Sequence, residues 1–170
     1  MHCTVTGVTG FLGGAVAAML MKEGHRCEGR RMTYEFERGT TWFHCAAVTS
    51  GAKDMVENPL KHVTENIILN AKGLAAAYRC GVKQIVFPSS STVYPQESLE
   101  RGAIEIEGFI GDPQPCDFAV GWMKRYTEKL CELYTRLGMK CVCLRLANLY
   151  GPGDNFDPHT SHMVAALVKR

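Results

Sequence analysis

The sequence lacks a charge excess of either sign: 19 Lys and Arg stand against 17 Asp and Glu, a formal net charge of +2. A protein that binds a polyanion or an anionic membrane surface carries a clustered basic surplus, so neither nucleic acid nor membrane is expected as a partner. It also lacks a long apolar run. The longest strongly apolar stretch, Gly14–Met21 (GAVAAMLM), has eight residues, against the ~20 that a membrane-spanning helix needs. No basic lead or cleavage site follows Met1, so no secretory signal is expected. Repeats, low-complexity tracts and interdomain linkers are missing as well. The expectation is a cytoplasmic, globular chain, 46% hydrophobic, that folds as a single domain over residues 1–170.

No CxxC pair occurs among the eight cysteines, so no metal site is expected. Cys3, Cys27, Cys45, Cys141 and Cys143 fall in apolar, strand-like runs, where a free thiol behaves as a small hydrophobe. Reduced thiols follow from the cytosolic reading.

What is present is an alternation of strand and helix signals. Short β-prone runs cover His2–Thr6, Arg26–Gly29, Thr41–Ala46, Gln84–Phe87 and Cys141–Ala147. Between them lie a small-residue helix ending at about Glu23 and two longer helices, Leu60–Cys80 and about Val120–Leu137. The spacing predicts an inward stripe of Val63, Ile67, Ala71, Leu74 and Tyr78 on the first, and of Met123, Leu130, Leu133 and Leu137 on the second. Thr33–Glu37 (TYEFE) alternates and reads as either a short edge strand or a linker. Such an order implies an α/β fold, a parallel sheet covered on both faces.

Gly7, Gly10 and Gly13 follow the first strand and open the first helix. In that context the first glycine makes the tight turn, the second lets a pyrophosphate approach the backbone, and the third permits close helix–sheet packing. The helix N-terminus then offers unpaired N–H groups to phosphate. Arg30 and Arg31 stand where the second strand ends. Two guanidinium groups there suit a ribose 2′-phosphate, so NADP is expected over NAD, with NAD as the alternative.

These segments, with FHCAA, PSSSTVYP, the lysine of GWMKRYTEK, and LRLANLYGPGDNF, resemble the extended short-chain dehydrogenase/reductases, the NAD-dependent epimerase/dehydratase family. The C-terminal part, NLYGPGDNFDPHTSHMVAALVKR, is most similar to the GDP-L-fucose synthase branch. The resemblance implies a three-layer, Rossmann-type, doubly wound sheet and hydride transfer at a carbon of a nucleotide sugar, with a GDP-sugar among the candidate substrates. It implies catalytic roles for Ser90, Lys124 and His162. It further implies cofactor contacts from Gly7, Gly10, Phe11, Leu12, Gly13, Arg30, Arg31, Ala46, Asn66, Ser89, Lys124 and Asn148. A homodimer paired through the two long helices is implied as well.

Four departures accompany the resemblance. The acid/base tyrosine of the family would stand four residues before Lys124, where this chain has Val120; Tyr126 lies on the opposite side of that helix. Thr92 occupies the position of the cysteine that partners the epimerisation histidine. Only 11 residues separate Gly29 from Thr41, too few for the helix–strand–helix segment of the family. The smaller substrate-binding part expected after the dinucleotide-binding part lies outside the 170 residues. The alternative function is therefore a catalytically silent dinucleotide-binding or interaction module.

Overall fold

The computed structural model describes residues 1–49, 57–157, 161 and 163–168. Five strands, β1 (His2–Thr6), β2 (Arg26–Arg30), β3 (Thr41–His44), β4 (Gln84–Ser90) and β5 (Lys140–Leu146), form one sheet in the order β2-β1-β3-β4-β5. The β1–β2, β1–β3 and β3–β4 pairs are parallel, with Cys3 opposite Cys27 and Thr41, and Trp42 opposite Ile85. At the other edge, Lys140 N–H donates to Lys83 O (3.2 Å), so β5 starts beside the start of β4. The helices are α1 (Phe11–Lys22), α2 (Pro59–Cys80), α3 (Gln96–Arg101), α4 (Phe118–Arg136) and α5 (Met163–Val168). The alternation read from the sequence is the α/β fold observed.

The chain divides into two compact units. The first comprises Met1–Ala47, Ile68–Pro88 and Lys129–Leu144; the second comprises Val48–Ile67, Ser89–Glu128 and Arg145–Arg170. The first unit contains most of the sheet and an apolar core of Trp42, Leu74, Ala77, Val82, Ile85, Phe87, Cys131 and Met139. Its α2 segment packs so closely that a Cβ on Gly73 would lie 2.6 Å from Trp42 Cη2. Gly81, in the left-handed region at φ 76°, closes α2, and its N–H donates to Tyr78 O.

Residues 33–37 form no strand. Thr33 Oγ1 accepts from Glu35 N–H and donates to Glu35 O (3.0 Å each), a local turn that uses the groups a sheet ladder would need. Two stripes are also corrected. On α4, which ends at Arg136 and not at Leu137, Leu133 is exposed, as is Leu137 just beyond it, and Met123, Thr127, Glu128 and Cys131 face inward. On α2, Tyr78 is exposed, whereas Leu74 is buried as expected and His62, Asn66 and Asn70 are buried with it. A periodicity count restricted to apolar residues missed these polar positions because each has its hydrogen-bond partner inside the protein.

The clearest case lies in the first unit. Trp42 Nε1–H donates to Thr6 Oγ1 (3.1 Å), Thr6 Oγ1 meets His44 Nδ1 (3.2 Å), and His44 Nε2 meets Asn70 Oδ1 (2.9 Å). One tautomer satisfies every link: the threonine proton goes to Nδ1, and Nε2–H donates to Asn70. This relay joins β1, β3 and α2 with atoms sealed from water. Thr6→Val keeps the shape but strands the Trp42 and His44 nitrogens. It is expected to cost about 2 kcal/mol, read as a lower urea midpoint at unchanged slope.

Candidate active site

The first unit supplies the glycine loop between β1 and α1. Gly7 sits at φ 77°, and a Cβ there would lie 2.6 Å from Cys45 C and 2.7 Å from Ala46 N. A Cβ on Gly13 would collide with the Gly7 carbonyl, so this position admits no side chain. Gly10 is the N-cap of α1 and makes no side-chain capping bond; its own N–H donates to Gly7 O (2.9 Å). Phe11 and Leu12 begin α1, half-buried. The unpaired N–H groups of that first turn, with no side chain over Gly10, fit a pyrophosphate.

Both arginines expected to read a 2′-phosphate border this loop through their backbone. Gly7 N–H donates to Arg31 O (3.0 Å) and Val8 N–H to Arg30 O (3.4 Å). The Arg30 guanidinium pairs with Glu28, through Nε at 2.9 Å and through Nη2, while Arg31 is exposed. Ala46 is 9% exposed beside Gly7. Burial pushes the neighbouring Cys45 thiol up to about 11, so it stays protonated and is no nucleophile.

The second unit holds the residues assigned to chemistry. Ser90 ends β4, and its Oγ accepts from Thr92 N–H (3.2 Å), which leaves the hydroxyl proton as a donor. Thr92 Oγ1 is buried without a hydrogen-bond partner among the described residues. Helix α4 presses on this turn: a Cβ on Gly121 would collide with Thr92 O and lie 2.5 Å from Pro113 Cβ. That contact fixes Val120 and, one helical turn later, the half-buried Lys124. Tyr126 is half exposed, two residues beyond Lys124.

Asn66 is buried, and its amide is committed to the chain. Nδ2 donates to Val48 O (2.8 Å) and His62 O (2.6 Å), and Oδ1 accepts from Val48 N–H (2.9 Å). It clamps the segment after β3 onto α2. Ser89 is buried and donates to Glu128. Asn148 is exposed in the loop after β5. His162 lies outside the described residues.

Two arginines escaped the sequence reading. Arg125, 2% exposed, donates to the carbonyls of Val93 (2.9 Å), Ile110 (3.1 Å) and Gly111. Burial lowers its pKa from the ordinary arginine value, which still leaves it charged. Arg145 forms a bidentate pair with Glu128, from Nε at 3.1 and 3.2 Å and from Nη2 at 2.8 Å. Its Nη1 also donates to Tyr94 OH (3.1 Å) and Glu105 O, and its guanidinium lies over the Tyr94 and Phe109 rings. The Glu128 carboxylate raises the Arg145 pKa further. Ser89, Glu128, Arg145 and Tyr94 thus form one network that brackets Ser90 in the chain. Nothing in the sequence separates these arginines from surface residues, because their partners are mostly backbone carbonyls and a carboxylate distant in the sequence.

The sequence profile of the NAD-dependent epimerase/dehydratase family matches residues 31–170. A GDP-L-fucose synthase of Escherichia coli is 29% identical over 181 residues, covering 98% of this chain and 56% of that protein. A GDP-L-fucose synthase of Sinorhizobium fredii is 31% identical over 114 residues, covering 66% of this chain and 36% of that protein. Among solved structures, a GDP-L-fucose synthetase from Naegleria fowleri bound to NADP superposes with a TM-score of 0.81 at 25% identity. That match covers 98% of this chain and 56% of the other. The chain matches between 34% and 57% of the length of these and the other curated relatives.

The Glu128–Arg145 pair is nearly dry, with side chains 6% and 15% exposed. Glu128→Gln leaves a buried guanidinium without its counter-charge. It is expected to destabilise the chain by about 3–5 kcal/mol, measured by denaturant unfolding.

Proposed function

The chain belongs to the NAD-dependent epimerase/dehydratase family, and on that footing we propose that it holds a nicotinamide dinucleotide, NADP in preference to NAD, and serves hydride transfer at a carbon of a nucleotide sugar. The observation that carries this reading is the glycine loop: Gly7 in the left-handed region, no room for a side chain on Gly13, and an uncovered Gly10 at the head of α1. Gly10, Phe11, Leu12 and Gly13 would hold the pyrophosphate through backbone N–H groups. Arg30 and Arg31 would meet a 2′-phosphate, with Ala46 lining the same loop. Asn66, Ser89, Lys124 and Asn148 would complete the cofactor contacts, Asn66 and Ser89 through the backbone that their side chains brace.

When bound, the nicotinamide gives or takes the hydride. In this reading Ser90 donates its hydroxyl proton in a hydrogen bond to the sugar oxygen on the reacting carbon. The Lys124 ammonium supplies positive charge on the same helix turn as Val120. Val120 can neither give nor take a proton, so the proton that balances the hydride comes from solvent or from the substrate itself. Thr92, a weak acid, cannot act with His162 as a cysteine would in epimerisation. The proposed chemistry is therefore oxidation or reduction at one carbon. The relatives named for GDP-sugars support a GDP-sugar as substrate.

A homodimer belongs to the same reading. Within the first unit, Ile68 (48% exposed) and Tyr78 (41%) of α2, Leu133 (49%) of α4 and Leu137 (51%) just after it present apolar side chains to the outside. The rings of Tyr78 and Tyr134 lie 5.5 Å apart, so the two helices run side by side there. A second copy of the chain, presenting the same stripe, is the occupant this surface fits.

Two measurements test the proposal. NADPH titrated into the purified chain should change its fluorescence, and Arg31→Ala should weaken NADPH about tenfold or more while sparing NADH. With a GDP-sugar present, Val120→Tyr should raise turnover by about 10²–10⁴. Absence of NADPH binding in every form overturns the dinucleotide reading. For the dimer, light scattering at micromolar concentration should give twice the 18.8 kDa chain mass, and Leu133→Glu should return it to the monomer.

A further inference from the structure

Charge in the second unit is unevenly spread. Residues 96–118 hold six of the chain's 17 acidic side chains and one of its 19 basic ones. Glu97, Glu100, Glu105 and Asp112 are exposed. The single base, Arg101 of α3, pairs with Glu107 and so ties α3 to the short 3-10 turn Glu105–Phe109. Among these carboxylates large apolar side chains stand in water: Ile104 (59% exposed), Ile106 (74%) and Ile110 (58%) on or beside the turn, and Phe118 (50%) and Trp122 (43%) on α4. The two groups meet at Arg125, whose guanidinium lies over the Trp122 ring (4.9 Å) and donates to Ile110 O (3.1 Å) and Gly111 O. Phe118, Trp122 and Tyr126 follow at four-residue spacing and line one side of α4. Arg145 also pins the turn, through Glu105 O and the Phe109 ring, and a Cβ on Gly108 would collide with its guanidinium. An apolar surface held this firmly is preformed, so little ordering entropy is lost when it is covered.

We propose that this face docks a basic amphipathic helix of another protein. The helix lays its apolar side on Ile104, Ile106, Ile110 and Trp122 and places its Lys or Arg side chains among Glu97, Glu100, Glu105 and Asp112. A contiguous exposed apolar surface rimmed by charge marks an interaction site, and the sign of the rim selects the occupant. Four carboxylates repel an anionic bilayer. A second copy of the chain applying the same face would bring those carboxylates against their own equivalents, because a two-fold contact joins identical patches. A basic helix satisfies the apolar centre and the acidic rim together, as in helix-in-groove recognition. None of these residues belongs to the stripe on which the homodimer is proposed.

Trp122 is a built-in reporter, because the other tryptophan, Trp42, is fully buried. The probe is a synthetic amphipathic helix of leucine and lysine, with its counterpart of leucine and glutamate as control. The lysine peptide should shift Trp122 emission to the blue and protect it from acrylamide quenching; the glutamate peptide should do neither. Ile106→Ser should weaken the lysine peptide about tenfold. Glu105→Gln combined with Asp112→Asn should weaken it and flatten its salt dependence, whereas Leu133→Ser in the first unit should leave it unchanged. An equal response to both peptides, or an affinity unmoved by Ile106→Ser, overturns the site. Protection of Trp122 that grows with chain concentration alone assigns the face to a second copy, and protection by anionic vesicles assigns it to a membrane; either result overturns the peptide reading.

Discussion

Between the Gly7 carbonyl and the Cα of Gly13 there is no room for one further carbon. The start of α1 therefore rests directly on the loop that leaves β1, and that loop rests on the backbone of Cys45 and Ala46 beyond β3. Backbone against backbone is the closest approach a protein can make. It sets how the first helix turn is aimed, and it leaves that turn's N–H groups facing outward instead of being capped by a side chain. The turns around Arg30 and Arg31 are tied to the same loop by two backbone hydrogen bonds. A loop built this way contains almost no side-chain chemistry, which is why its shape depends so heavily on the absence of atoms.

The second unit is organised in the opposite manner. Around Ser90 the chain is held by long charged side chains: Arg125 binds three carbonyls, and Arg145 binds a carboxylate, a phenol, a carbonyl and two ring faces. Such groups are costly to bury, and here each guanidinium nitrogen has at least one acceptor. On α4, by contrast, Val120, one helical turn before Lys124, carries no ionisable group.

Much of this was legible in the sequence. β1 was readable over its observed bounds, whereas β3 stops at His44, two residues short of the expected Ala46, and β4 runs on from the apolar run through Pro88 to Ser90. The glycine loop was readable because its three residues carry a steric meaning at fixed spacing. The inward faces of α2 and α4 were not. Asn66 and Asn70 look like surface residues until Val48 and His44 arrive as partners, and Leu133 looks like core although the helix turns it outward. Arg125 and Arg145 were invisible for the same reason: hydrogen bonding to distant backbone leaves no periodic mark. What a single sequence conveys well is local sterics; what it conceals is which polar group meets which.

With no strand in residues 33–37, β2 has a neighbour on one side only among the described residues. Its outer row of amides and carbonyls is a template on which a stray extended segment could pair. The strand reads Arg-Cys-Glu-Gly-Arg, and Arg26, Glu28 and Arg30 fall on one face, at alternate positions. A flat apolar ribbon laid along that edge would have to bury three charges and gain almost no side-chain packing from Gly29. The alternation that makes β2 a poor contributor to the core thus makes it a guarded margin, which keeps the sheet from growing by addition of unrelated strands.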